Sequence, residues 1–127
     1  MEKKIIRTEN APAPIGPYNQ AVQMGNMLFI SGQIPLDAKS GSLVQGDIKT
    51  ETEKVMQNLK SILEAAGMHF SNVIKTSIFL MDMGKFAEVN EVYGKYFDEA
   101  AAPARETVQV SALPRFVNVE ISMIAAD

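Results

Sequence analysis

The sequence contains no cysteine and no tryptophan, and it has a single histidine, His69. Without cysteine the chain can form no disulfide, no thiolate metal site and no cysteine nucleophile. One histidine cannot alone supply the several imidazole ligands of a histidine-based zinc site. His69 follows the predicted end of a helix and has no evident catalytic partner. We interpret it as an exposed or capping residue rather than a catalytic base.

The sequence also lacks a surplus of positive charge, because twelve basic residues face fifteen acidic ones and the net charge is −3. Nucleic-acid affinity depends largely on neutralising phosphates, so no nucleic-acid partner is expected. No apolar run approaches the roughly 20 residues that a membrane span requires. The opening stretch MEKKIIRTENAPAP has no apolar segment of the secretory type. We expect a cytoplasmic protein that does not bind a membrane.

The chain has 127 residues, of which 46% are apolar and 21% charged. This length suits one domain, and the composition is that of an ordinary globular protein. Such a domain buries about two-thirds of its unfolded surface, which is enough for a single core. We therefore expect one domain over residues 1–127.

The N-terminal part of the chain predicts a loop followed by a β-hairpin. Residues 9–17 (ENAPAPIGP) are rich in proline, which disfavours helix at and before each proline. Residues 21–22 and 27–31 are apolar and flank the dipeptide Gly25-Asn26, a turn signal.

An amphipathic helix is predicted after a loop at residues 36–46 that holds at most one short strand. Asp47 is placed to cap the start of the helix, and Gly67 is placed to end it. The apolar stripe consists of residues at three- and four-residue spacing: Ile48, Thr52, Val55, Met56, Leu59, Ile62, Leu63 and Ala66.

The second half predicts a strand, a helix and two further strands. Residues 73–80 (VIKTSIFL) are rich in β-branched side chains and predict a strand. A helix is predicted at about 84–97, and strands at roughly 105–111 and 117–125, with a turn at 112–116. The apolar stripe of this helix is Phe86, Val89, Tyr93, Tyr96 and Phe97. The element order predicts an α+β domain with two helices on one face of a mixed sheet.

Polar residues occupy one face of each of the last two strands, because side chains alternate along a strand. Arg105 and Thr107 share one such face, and Glu120 lies on the other. We expect the apolar rows to face the helices, which would leave Arg105 and Glu120 together on the uncovered face. A sheet face of this kind is either solvated or a subunit interface, since interface cores are poor in charge.

The candidate residues for chemistry are few. The chain has no Gly-x-Ser-x-Gly elbow and no glycine-rich phosphate loop. Arg105 could hold a small carboxylate through two parallel hydrogen bonds, or it could pair with Glu120. The side chain of Tyr18 could equally be core packing. The candidates are Tyr18, Ser31, Asn90, Arg105 and Glu120, and the residues alone name no reaction.

Five short motifs, in order and at matching spacing, span nearly the whole chain. They are IGPY (15–18), SGQIP (31–35), FAEVNEVY (86–93), PARETVQVSALP (103–114) and VEI (119–121). Together they resemble the Rid family of reactive intermediate deaminases, also called the YjgF family.

The resemblance implies a chorismate-mutase-like fold and a homotrimer with a barrel-like core and clefts at the subunit boundaries. The implied reaction is hydrolysis of 2-iminobutanoate and 2-iminopropanoate to 2-keto acids and ammonia, without cofactor or metal. Arg105 would bind the substrate carboxylate, Glu120 would position or activate water, and Tyr18 would take part in catalysis. Further residues would shape the substrate pocket, some from a neighbouring subunit: Ser31, Gly32, Asn90 and Thr107.

The chain departs from the family pattern at two places. Many members have Ser-Cys after the arginine, where this chain has Glu106-Thr107. Thr107 shares a face with Arg105 and should still touch the pocket, whereas Glu106 should point away. The usual lysine after Leu-Pro is Arg115 here, which keeps the charge.

Three alternatives to imine hydrolysis stay open. The chain could be a trimeric sensor that binds small carboxylates in the same cleft. It could be a ribonuclease or translation inhibitor, a role found for some family members but not favoured by the net charge. It could also be a structural or chaperone-like protein, whose function would not depend on Arg105.

Overall fold

The computed structural model describes residues 2–127 and contains a six-stranded mixed sheet with two α-helices on one face. This arrangement confirms the predicted α+β class. Strands β4 and β5 are parallel, and the other neighbouring pairs are antiparallel, in the order β1-β2-β3-β6-β4-β5. The elements are β1 (Lys3–Ile6), β2 (Ala21–Met24), β3 (Met27–Gln33), α1 (Ile48–Ala65), β4 (Val73–Leu80), α2 (Phe86–Gly94), β5 (Ala104–Gln109) and β6 (Val119–Ala126).

The hairpin and the first helix form where the sequence predicts them. Gly25 has φ +60° in the turn between β2 and β3, a conformation that glycine adopts at little cost. The side chain of Asp47 caps α1 by accepting a 2.8 Å hydrogen bond from the amide of Thr50. Gly67, with φ +72°, follows the end of α1. Neither helix within residues 2–127 is long and apolar enough to cross a membrane.

Two elements differ from the prediction. Strand β1 was not predicted, because only Ile6 of its four residues is buried and no alternating apolar pattern marks it. It forms through pairing with β2. Helix α2 is shorter than predicted and ends at Gly94, but Tyr96 and Phe97 still pack against the core from the following segment.

The core lies between the sheet and the two helices. Each fully buried aliphatic side chain in it contributes about 1.5–3 kcal/mol to folding. Its most deeply buried large residues are Leu28, Met56, Leu59, Ile62, Leu63, Ile78, Leu80 and Ile121. Because α1 and α2 cover only one side, the opposite face of the sheet is uncovered, and we call it the open face.

Strand β5 is oriented opposite to the prediction. Arg105 lies beside Thr76 of β4, which is fully buried on the helix face. Val108 lies beside Phe79 and is 40% exposed on the open face. The expectation that Arg105 and Glu120 share a face is therefore wrong. The rule that apolar rows face the helices fails because the open face is itself partly apolar and β5 lies at the margin of α2.

Candidate active site

The candidate residues fall into two groups on opposite sides of the sheet. Arg105 and Thr107 lie on the helix face, where the Arg105 side chain contacts α2. Glu120 lies beside Phe79 on the open face. We call the group around Arg105, with Phe86, Asn90, Tyr93 and Thr107, the Arg105 half-site. The Glu120 half-site comprises Glu120, Tyr18, Ser31 and Gly32.

Helix α2 holds the guanidinium of Arg105 in place with three side chains on one helical face. Phe86, Asn90 and Tyr93 are spaced i, i+4 and i+7, so they line up along α2. Arg105 Nη1 donates a 2.7 Å hydrogen bond to Asn90 Oδ1. The guanidinium carbon lies 5.3 Å and 5.1 Å from the ring centroids of Phe86 and Tyr93, within cation–π distance. The guanidinium is thus fixed while most of its five N–H donors remain available for an anion.

The cleft beside this guanidinium is about 580 Å³ and is lined by Asn90, Tyr93, Pro103 and Arg105. Thr107 is half-buried, and its hydroxyl oxygen has no hydrogen-bond partner among residues 2–127. Burial raises the pKa of the Tyr93 hydroxyl, so Tyr93 stays neutral at neutral pH. The Arg105 half-site therefore offers one fixed positive charge beside aromatic rings, and Glu99 is the other charged residue that lines the cleft.

The Glu120 half-site lines a separate cleft of about 530 Å³, which holds Tyr18, Ser31, Gly32 and Glu120. A Cβ on Gly32 would lie 2.7 Å from Glu120 Oε2, so another side chain at position 32 would displace the carboxylate from where it now lies. The Glu120 carboxylate thus occupies the space that any other side chain at position 32 would fill. This contact explains why the SGQIP motif has a glycine at position 32.

Glu120 is suited to act as a base. Burial raises the pKa of its carboxyl above the ordinary value of 4.5, and it is the sole cause of that shift. A raised pKa makes a carboxylate a stronger proton acceptor. The site therefore combines an accessible carboxylate with increased basicity.

The loop that carries Tyr18 is anchored by Gln20, which is 3% exposed. Gln20 Nε2 donates hydrogen bonds of 2.9–3.1 Å to the carbonyls of Thr8, Ala11 and Pro12, and Gln20 Oε1 accepts one from the amide of Thr8. The Tyr18 hydroxyl accepts a 3.3 Å bond from the amide of Ile15. These contacts place the half-exposed Tyr18 ring at the edge of the Glu120 cleft.

Ser31 has a structural bond that limits its role. Its hydroxyl donates a 2.6 Å hydrogen bond to the carbonyl of Asn19, and its amide donates to the carbonyl of Gln20. The serine thereby ties β3 to the loop that carries Tyr18. In this position it shapes the cleft wall, and its hydroxyl proton is donated to a backbone carbonyl rather than to a base.

Sequence reasoning missed several residues of the site. Phe86 and Tyr93 were interpreted as core residues of α2, although their spacing from Asn90 was visible in the sequence. Gln20 gave no signal, since a buried glutamine cannot be recognised before the loop around it is known. His69 is exposed at the start of a short turn, as the interpretation of it as an exposed or capping residue predicts.

The chain matches known proteins over nearly its whole length. The family profile described as endoribonuclease L-PSP matches residues 8–127. A RutC family protein from Pyrococcus horikoshii is 56% identical over 123 residues, which cover 97% of each chain. The mouse protein named 2-iminobutanoate/2-iminopropanoate deaminase is 50% identical over 97% of this chain and 90% of its own length. The crystal structure of RidA from a Psychrobacter species superposes with a TM-score of 0.93 at 42% identity, over 98% of this chain and 99% of that chain.

Proposed function

The chain belongs to the Rid family, with its chorismate-mutase-like α+β fold, and we propose that it hydrolyses small 2-imino acids to 2-keto acids and ammonia. The proposed substrates are 2-iminobutanoate and 2-iminopropanoate, which the name of the mouse relative contains. The observation that supports this most directly is that the chain has a cation held in place in one half-site and a half-buried carboxylate of raised pKa in the other. The Arg105 cation can bind the carboxylate of an imino acid, and the Glu120 carboxylate can accept a proton from a water.

The reaction needs only binding, orientation and proton transfer. Arg105 holds the C1 carboxylate, which places C2 of the protonated imine next to a water. Glu120 accepts a proton from that water as its oxygen forms a bond to C2, a contribution of about 10²–10⁴-fold. The proton then passes to the nitrogen of the resulting carbinolamine. The C–N bond breaks and ammonia leaves, while the C2 hydroxyl gives its proton to the Glu120 carboxylate and becomes the carbonyl of the keto acid. Glu120 then releases that proton to water or to the ammonia.

The two half-sites must come from two subunits. Arg105 and Glu120 lie on opposite faces of one sheet, so a small imino acid cannot touch both in a single chain. A neighbouring copy that presents Glu120 to the Arg105 cleft completes the site. We expect each active cleft to take Arg105, Asn90 and Thr107 from one subunit and Tyr18, Gly32 and Glu120 from the next.

The open face supports such an assembly. Four apolar side chains from β1, β2, β3 and β6 form a continuous row across it, since each is paired in register with the next. Two of them, Ile5 and Phe29, are 38% and 46% exposed. An apolar row of this extent is typical of a surface that another subunit covers. The row consists of Ile5, Val22, Phe29 and Ile124. A homotrimer, with three open faces packed together, is the assembly we propose.

The proposed reaction can be tested by trapping the imine. An amino-acid oxidase acting on 2-aminobutanoate supplies 2-iminobutanoate, and semicarbazide converts the free imine to an absorbing adduct. We expect the purified protein to suppress adduct formation in proportion to its concentration. Unchanged adduct formation across several amino acids would instead favour the alternative of a carboxylate sensor that binds without turnover.

Replacing Glu120 with Gln should slow turnover by about 10²–10⁴-fold, the usual contribution of a general base. Binding of 2-oxobutanoate, a product, should change far less, because Arg105 holds the carboxylate. Steady-state kinetics and calorimetry measure the two effects. The neutral amide keeps the size of the side chain, so the contact with Gly32 is preserved. An unchanged turnover number would refute the water-activating role.

The pH dependence of kcat should show the state of Glu120. The base form is the ionised carboxylate, so kcat should fall as pH decreases through the pKa of Glu120. Burial raises that pKa, and the decrease should therefore occur above pH 4.5, the ordinary value for this side chain. The residual activity of the Glu120→Gln variant should lack this acidic limb. A limb that persists in the variant would belong to another group.

A further inference from the structure

Arg115 lies on the wall of the Glu120 cleft and takes no part in the proposed hydrolysis of monocarboxylic imino acids. It and Glu120 are the two charged residues that line this cleft. Within residues 2–127, Arg115 takes part in none of the ion pairs. No cation lowers the pKa of Glu120, so Arg115 does not neutralise that carboxylate. Arg115 is therefore a second positive charge available to a ligand.

The backbone at Arg115 is held in an unfavourable conformation. Arg115 has φ +55° and ψ +20°, and Phe116 has φ +57°, both in the left-handed region. This region costs roughly 1–2 kcal/mol per residue for side chains of this kind. The buried neighbours Leu113 and Val117 anchor both ends of the turn. Non-glycine residues held in this way cluster at binding and active sites.

A buried contact from α1 fixes the end of the same turn. Glu51 is 5% exposed, and Asn118 Nδ2 lies 3.2 Å from each of its carboxylate oxygens. The contact ties the residue after the turn to the helix. Arg115 also borders a small cleft that contains Glu51, so a purely structural role would be to pair with that carboxylate.

We propose that Arg115 binds a second carboxylate on the side chain of the substrate. The substrates would then include dicarboxylic 2-imino acids, with Arg105 of one subunit on the C1 carboxylate and Arg115 of the next on the distal one. This inference rests on the proposed deaminase function. In one subunit the cleft measures about 530 Å³ before a neighbour covers it, and Arg115 and Glu120 both border this space. A dianion also needs a second cation to offset its repulsion from Glu120.

The test compares two imines in the same trapping assay. Aspartate and glutamate oxidases supply 2-iminosuccinate and 2-iminoglutarate, and 2-iminobutanoate is the monocarboxylate reference. We expect Arg115→Ala to lower the ratio of kcat/KM for the dicarboxylic imine to that for 2-iminobutanoate by about 10- to 100-fold, the worth of one charged hydrogen-bonded contact. Arg115→Lys should restore part of the loss. Arg7→Ala, which removes an exposed arginine outside the Glu120 cleft, should leave the ratio unchanged.

Binding measurements distinguish a wrong role for Arg115 from a wrong assignment of deaminase activity. Calorimetry with 2-oxoglutarate and 2-oxobutanoate requires no turnover. Arg115→Ala should weaken the binding of 2-oxoglutarate but not that of 2-oxobutanoate. Equal binding of 2-oxoglutarate to wild type and variant, or an equal loss on both imines, would overturn the role of Arg115. A lowered melting temperature with an unchanged substrate ratio would assign Arg115 to structural pairing with Glu51.

Discussion

The Arg105→Ala variant is expected to lose about 10²–10⁴-fold in kcat/KM for 2-iminobutanoate, because two charged hydrogen bonds to the substrate carboxylate disappear together. The fold should survive, since Arg105 is exposed on an edge strand and its removal leaves no buried charge unpaired. Steady-state kinetics measure the loss. A melting curve and gel filtration on the same sample show whether the fold and assembly are retained.

Two further variants make this result specific. Arg105→Lys keeps the charge, but an ammonium group lacks the planar fork and the stacking on Phe86 and Tyr93. Its activity should be intermediate. Arg7→Ala removes an arginine outside both half-sites and should retain full activity. Full activity in Arg105→Ala would refute the carboxylate-binding role, and an unfolded variant would show that the arginine is structural.

Local patterns in the sequence predicted the elements that depend on neighbouring residues. The β2–β3 hairpin follows from Gly25 in its turn, and α1 follows from the Asp47 cap and its apolar stripe. Strand β1 depends instead on pairing with a segment about 20 residues further along, and most of it is exposed. Its sequence therefore carries no alternating pattern that could have predicted it.

The orientation of β5 could not be read from alternation alone. Alternation correctly separates Arg105 and Thr107 from Glu106 and Val108, but it does not say which set faces the helices. The prediction assumed that apolar residues avoid the open face. In the structure, Val108 contributes to an open face that already exposes Phe29, and the Arg105 guanidinium is stabilised against the α2 aromatic rings.

The expected roles of the candidate residues came from the family motifs, whereas their arrangement needed the structure. The motifs place Arg105, Asn90 and Glu120 in the same site without saying how they meet. The structure shows Arg105 and Asn90 in direct contact and Glu120 on the other side of the sheet. Because the two residues are separated in this way, a site that contains both needs two subunits.

A mixture of two inactive variants should regain activity if the site is shared between subunits. Arg105→Ala keeps Glu120, and Glu120→Gln keeps Arg105, so a cleft between an Arg105→Ala chain and a Glu120→Gln chain can contain both intact groups. In a ring of three that contains both variants, only one of the three clefts has both groups intact, whichever variant is present twice. The activity of such mixed rings should rise to about one third of wild type.

The mixed assemblies can be prepared by co-expression of the two variants with different affinity tags and purification through both. Each variant alone, carried through the same two steps, gives the baseline. A matched mixture of Arg105→Ala with Arg105→Ala,Glu120→Gln contains no intact arginine and should stay inactive. If both groups served one cleft within a single chain, no mixture could restore activity, and the shared site would be refuted. Recovery near one third would instead show that the open faces bring Glu120 of one subunit to Arg105 of the next.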